Sequence, residues 1–558
     1  RIRTLENADM GKVLVIGREA FGSEQGAILK TDTFNGFSRI LFLEQDYDTL
    51  VNRLGFRAME HGVRDVKARV PGHPALSGLQ ENVMQNWRGA STLYEPFFEL
   101  PNFETSDPAW YWCGFSNKRV WRCGNRNSVA SAIIEKPSRG NWQPILDCGF
   151  DFQYSPLLEY SDSTSRMIFC QMDVSGRSED EPAAARLVKN IIEYLSDSKK
   201  SRFKTVIYDG DERGSKLLEQ LGVDFKSIGT GSISKNSLFV LGPGTKMKDL
   251  RPLISQGICA IGVGLEETDL KSILPGELEA VTESVVSVVD KTLGRQPEFT
   301  GISNAELHWR ETPVIAALKT ADSGKNPALQ IMRYGAGKII LSQAAPWHFA
   351  YESKPYLRTT FRRNLFMISR LLDNSGALMQ APVHSFLSTP PKLARQDLST
   401  GWKTSDETHL DNPADNCWRA DYDDSQWDII ELPSYFSHLG YVWYRKTFKL
   451  EKSLPDDLTL YIGACDDESW IWLNGKFLGE VTTKTNPGDY WSFTREYTIP
   501  AELLNENSDN TIVVRVNNTY LDGGIAGKPA ITTRGSWLDS YYIQIPEADD
   551  DPYRYYRW

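Results

Sequence analysis

Asp466-Asp467-Glu468-Ser469-Trp470-Ile471-Trp472-Leu473-Asn474-Gly475-Lys476-Phe477-Leu478-Gly479 reads as a β-hairpin. Ser469–Leu473 is a short run rich in aromatic and β-branched residues, the composition of a half-buried strand. Asn474-Gly475 supplies two neighbouring residues that accept positive φ, as a type I′ turn requires. The three acids ahead of the strand are expected to form a solvated turn rather than a catalytic pair. Outward from this hairpin, Val442–Phe448, Leu458–Ile462 and Ile512–Val516 are further strand segments. Several strands within about 150 residues favour a β-sandwich.

Upstream the pattern changes. Ser375–Gln396 is polar and contains prolines, the clearest boundary in the chain. Before it, short apolar strands alternate with helical stretches, which argues for α/β layers on a parallel sheet. One series runs through Lys12–Gly17 and Arg39–Leu43; a second runs through Lys204–Tyr208, Ser237–Leu241 and Ile258–Gly262, with a helix expected over Met247–Gln256. The two series look like a tandem repeat. Pro74-Ala75-Leu76-Ser77-Gly78 with Trp87-Arg88 matches Pro297-Glu298-Phe299-Thr300-Gly301 with Trp309-Arg310, and Phe169-Cys170-Gln171 matches Leu341-Ser342-Gln343. Each series then closes on a Pro-initiated helix, Pro182–Leu195 carrying Asn190 and Pro355–Leu372 carrying Asn364. Leu187, Ile191, Tyr194 and Leu195 recur at helical spacing and are assigned to the core.

A chain of 558 residues exceeds one hydrophobic core. Hydrophobic residues make up 41% and none of the apolar runs approaches the roughly 20 residues of a membrane span, so membrane insertion is not expected. A net charge of -11 disfavours nucleic acid, whose binding rests on clustered Lys and Arg. The 16 Trp and 23 Tyr suit both cores and stacking on sugar rings. The seven Cys are scattered and lack the C-x-x-C spacing of a zinc site, and the seven His lack metal-binding spacing; no metal or cofactor is implied. His308, inside the repeat, is assigned a packed or capping role. Asn517-Asn518-Thr519 matches a glycosylation sequon, a pattern short enough to arise by chance. The first residue is Arg, from which a longer precursor is expected.

The carboxy-terminal block resembles the sugar-binding jelly roll of glycoside hydrolase family 2 and related galactose-binding-like modules. The residues that carry the resemblance are Trp418–Trp427, Val442–Phe448, Asp466–Gly479 and Val514–Asn518. The two α/β series resemble class I glutamine-amidotransferase-like domains, in the form that serves as the trimerisation domain of some β-galactosidases. Here the carriers are Val15–Ala20, Leu43-Glu44-Gln45, Ser155–Tyr160 and Phe169–Asp173.

These resemblances imply two flavodoxin-type layered α/β domains, 1–200 and 201–375, then a linker 376–396, a jelly-roll sandwich 397–546 and a tail 547–558. They imply an oligosaccharide or polysaccharide partner, a homo-oligomer or an associated catalytic domain, and a periplasmic or secreted location. If the sandwich touches a saccharide, the exposed members among Trp443, Arg445, Trp491, Asn517 and Tyr520 offer stacking and hydrogen bonding. No complete catalytic set is legible. The G-x-C-x-G and G-x-S-x-G elbows are missing, the Gly-x-Gly pieces lack the third Gly of a dinucleotide loop, and Cys170 ends an apolar strand where an inert thiol is expected. The resembled families carry acid and nucleophile on a (β/α)8 barrel, which this chain lacks. The favoured reading is the accessory portion of a β-galactosidase-like hydrolase; the alternatives are a free-standing carbohydrate-binding protein and an enzyme using the amidotransferase-like fold in a new way.

Overall fold

Ala130–Glu135 and Trp142–Cys148 are buried at every position, as strands covered on both faces must be. They belong to an eight-stranded sheet in a computed structural model. The structure describes residues 13–22, 37–89, 91–94, 111–112, 115–116, 126–149, 152–197, 203–228, 234–276, 279–287, 289–319, 326–351, 353–388, 395–451, 458–488, 490–533 and 540–543. The chain is multidomain, mostly β-sheet with few helices, and divides into two units. The first comprises Arg1–Phe97, Cys123–Pro390 and Leu538–Trp558; the second comprises Phe98–Arg122 and Pro391–Trp537.

Two large sheets and a two-stranded ribbon, Ala280–Ser284 with Val314–Leu318, build the described part of the first unit. In one large sheet, Leu14–Ile16, Arg39–Leu43 and Arg166–Cys170 are parallel neighbours, as the alternating pattern suggests. The rest of that sheet is antiparallel, which departs from the expected parallel layer. Its strands Trp142–Cys148, Tyr154–Ser161 and Arg166–Cys170 are joined by connections of only five and four residues, too short for a parallel crossover. The other sheet is parallel through Phe225–Ser227, Thr205–Asp209, Ser237–Leu241, Cys259–Val263 and Gly337–Ser342, with Leu329–Tyr334 as an antiparallel edge.

Helix Pro182–Ser196 buries Leu187, Ile191 and Leu195 while Tyr194 packs at the margin. Helix Arg358–Ser375 is buried nearly all round. The helix expected over Met247–Gln256 shrinks to Arg251–Ser255. Asp209 explains the loss: its carboxylate accepts from the Thr245 hydroxyl at 2.5 Å and from the amides of Lys246 and Met247 at 2.8 and 3.1 Å, holding that stretch as an irregular loop.

The same hydrogen bonds recur in both sheets. Gln171 Nε2 donates to the Gln45 carbonyl at 2.7 Å and to the Ala132 carbonyl; Gln343 Nε2 donates to Leu265 and Ala316 carbonyls, both at 2.9 Å. Asn190 Nδ2 donates to the carbonyls of Ala75 and Ser77, and Asn374 Nδ2 donates to those of Glu298 and Thr300. Asn364, matched to Asn190 in the sequence, donates to the Ala344 carbonyl instead. The stretch 376–396 is not wholly linker: helix Val383–Ser388 buries Val383, Phe386 and Leu387. Phe386 packs on Tyr541, which also meets Phe56 and Trp142, so the chain returns to the first unit after the sandwich.

The second unit holds two six-stranded antiparallel sheets. Val442, Tyr444, Ile471, Ile512, Val514 and Val516 from one meet Leu460, Ile462, Ile525 and Ile531 from the other in a single core. The hairpin forms as read, with strands Glu468–Leu473 and Lys476–Val481 and φ of 51° at Asn474 and 75° at Gly475.

Candidate functional site

Because side chains alternate along a strand, the sheet built on Gly440–Lys449, Asp509–Asn518 and Glu468–Leu473 turns a second set outward. That set comprises Tyr441, Trp443, Arg445, Arg515, Asn517, Glu468, Trp470 and Trp472. Residues 410–427 cover part of it. Trp443 stacks on Trp472 at 5.7 Å between ring centroids and sits in a small cluster with Cys417, Trp427 and Val513. Arg445 donates to the carbonyls of Cys417 and Arg419 at 2.7 and 2.9 Å and pairs with Asp424 at 3.0 Å. Trp443 is 0% and Arg445 2% exposed. Neither has a face for a sugar; they fasten the covering segment to the sheet, which corrects their place among the surface candidates.

Beside the cover lies a half-buried polar and aromatic strip. The Arg515 guanidinium sits 3.8 Å from the Tyr441 ring centroid and 5.6 Å from that of Trp470. It forks onto Glu407, Nε to Oε2 at 3.0 Å and Nη2 to Oε1 at 2.7 Å. Planar guanidinium geometry suits both the stacking and the paired bonds. Register places Asn517 opposite Tyr441 on one side and Glu468 on the other. Asn517 Nδ2 donates to Glu468 Oε2 at 3.1 Å. A glycan would need that nitrogen, so the sequon asparagine is engaged within the sheet. Burial raises the Glu468 carboxyl, but hydrogen bonds from Thr483 and Asn517 outweigh it and hold the group below its ordinary range.

At the end of this face two loops form a lip. Asn518 Nδ2 donates to the carbonyls of His438 and Leu521, both at 2.8 Å, tying the loops together. Asp467 Oδ2 accepts from the Thr519 amide at 2.8 Å, the Thr519 hydroxyl at 2.6 Å and the Tyr520 amide at 3.1 Å. The acids ahead of the hairpin are therefore not a solvated turn. Asp467 is buried and fixes the next loop, while Asp466 is pushed up to about 7 by burial and by the neighbouring Asp467. On the fixed loops Tyr520 is 72% exposed, with Leu521 and Leu439 also open to solvent. Large apolar side chains held out on braced loops make this lip the candidate contact surface of the face. Trp491 is half-buried in a turn ahead of strand Thr494–Thr498. Tyr520 thus has the open aromatic face, Asn517 and Trp491 are partly covered, and Tyr441, Trp470, Arg515 and Glu407 join the site. The last four escaped sequence reading, though alternation from core residue Val442 would have turned Tyr441 outward.

Thiol chemistry finds no support in the described part of the first unit. Cys148, Cys170 and Cys259 are buried and free, and burial pushes all three thiols up; Cys113 and Cys123 lie outside the described residues. Glu44, at the end of strand Arg39–Leu43, is pushed up to about 8 by burial; the Asp173 charge adds to the shift, and hydrogen bonds from Ser175 oppose it. His308 is exposed and caps a short 3-10 turn. Groups of three or more potential metal ligands are absent among the described residues, and no described helix is long and apolar enough to cross a membrane.

Residues 410–522 match the family model described as the β-galactosidase second all-beta domain. Among solved structures, the chain is similar to a Bacteroides uniformis β-glucuronidase, with 22% identity over 25% of this chain and 18% of that one and a TM-score of 0.22. A β-glycosidase from Bacteroides vulgatus shows 22% identity over 25% and 20%, TM-score 0.21. A putative β-galactosidase from Bacteroides fragilis shows 18% over 25% and 23%, TM-score 0.21. The chain spans about a fifth of the length of these proteins. No curated protein matches it.

Proposed function

We propose that this chain serves carbohydrate processing as the accessory portion of a β-galactosidase-like glycoside hydrolase, shaping a substrate cleft and holding an assembly together while the catalytic barrel lies elsewhere. The observation that carries the proposal is the β-galactosidase-type all-β segment 410–522, whose outer face ends in the braced lip of Tyr520. An oligosaccharide would lay a ring against Tyr520 and take hydrogen bonds from the neighbouring polar strip.

The two large sheets of the first unit are proposed to be amidotransferase-like copies of one ancestral unit, without nucleophile chemistry. The recurring bonds of Gln171 and Gln343, and of Asn190 and Asn374, support this. The sandwich is proposed to be a jelly roll, on the strength of its two facing antiparallel sheets. An oligomeric assembly accompanies the trimerisation-type resemblance.

Affinity electrophoresis of the full chain through gels cast with different polysaccharides tests the saccharide contact. Retardation that Tyr520→Ala relieves is expected; equal mobility in every gel would overturn the proposal. A free-standing binding protein is the second reading, favoured by a lip that is complete within the second unit.

A further inference from the structure

Between the eight-stranded sheet of the first unit and helix Arg358–Ser375 lies a cavity of about 280 Å³. Six basic side chains line it against three carboxylates, Glu135, Asp147 and Glu306. Two of those carboxylates are already matched. Arg69 Nε bonds Asp147 Oδ2 at 2.6 Å, and its Nη1 bonds Glu306 Oε2 and the Ser303 hydroxyl, both at 3.0 Å. Lys136 Nζ reaches Asp147 Oδ1 at 3.2 Å and lies 5.0 Å from the Phe366 ring centroid. Arg57 stands only 3.5 Å from Glu135.

Arg362, one turn before Phe366 on helix Arg358–Ser375, is different. Its Nη1 atom is buried and makes no hydrogen bond; burial disfavours its protonated form, the Glu135 charge favours it, and the charges of Arg57 and Arg358 oppose it. A buried guanidinium donor without a partner costs stability, and an oxyanion in the cavity would satisfy it through a charge-assisted hydrogen bond.

We propose that this cavity is a binding site for a small oxyanion, with the Arg362 guanidinium as its anchor and Phe366 and Tyr542 as the apolar wall for the ligand's body. The volume lies near the ~300 Å³ lower end of small-molecule sites, which fits one compact carboxylate or phosphate and not a chain of sugars. The site is separate from the saccharide face of the second unit and does not depend on it.

Thermal unfolding and calorimetric titration of the full chain test the assignment, with sodium glucuronate, inorganic phosphate and uncharged glucose as probes and chloride at matched ionic strength as reference. A saturable heat and a raised Tm with glucuronate or phosphate, but not glucose, are expected; which anion binds more tightly identifies the source. Arg362→Gln should weaken that binding about tenfold or more, the size of losing a buried charge-assisted contact, while Arg362→Lys retains part of it. Anions no better than chloride, glucose as effective as the anions, or unchanged affinity in Arg362→Gln would each overturn the proposal. Should Arg362→Gln fail to fold, the anion-dependent Tm of the unaltered chain and the Arg362→Lys affinity still decide.

Discussion

Arg445 shows how a residue that invites a functional reading can be structural. Following Trp443-Tyr444 in the sequence, it has the chemistry of a ligand contact, yet its donors are used on the covering segment 417–424. Arg445→Met would leave Asp424 and those carbonyls without their partner, and a loss of about 3 to 5 kcal/mol in urea unfolding is expected. Tyr520→Ala, on an exposed loop tip, should leave stability unchanged and weaken saccharide binding by about 1 kcal/mol, the size of one aromatic face contact.

Glu44 carries a pH signature. Its folded-state value near 8 lies above the ordinary 4.5, so the native chain keeps a proton that the unfolded chain releases. Its stabilising share is full below about 4.5 and is lost as pH rises through about 8. The Tm should therefore fall across that window, and Glu44→Gln should flatten the slope. Asp466, raised to about 7, acts in the same direction.

At the scale of elements, legibility followed locality. The Asn474-Gly475 hairpin was readable because the turn needs only those two residues. A Cβ at Gly475 would meet nothing closer than the Ala420 amide at 3.6 Å, so Gly475→Ala should cost only the backbone strain of positive φ, about 1 to 2 kcal/mol by chemical denaturation. Helix Pro182–Ser196 was readable from its own periodicity. The shortened helix at Arg251–Ser255 was not, since its start is set by Asp209, some forty residues away in sequence. The antiparallel half of the first sheet was hidden because a fully buried strand has no alternation to show which way its neighbours run. The polar and aromatic strip was half legible: Asn517 and Tyr520 carry their chemistry in their names, but Arg515 needed Glu407, more than a hundred positions earlier, before it became part of the candidate site.

For the whole molecule, the sandwich segment was readable as an ordered set of short motifs, while the return of Tyr541 and Tyr542 to the first unit depends on packing no local pattern encodes. Light scattering of the full chain should give a multiple of the monomer mass if the trimerisation-type resemblance extends to assembly; a monomer would remove that part of the proposal. The central claim is that this chain binds saccharide without turning it over. Calorimetric titration of the full chain with β-linked galactosides separates the two events in one vessel. The account predicts heats that saturate and then return to baseline; a steady heat of hydrolysis, or no heat with any sugar, would contradict it.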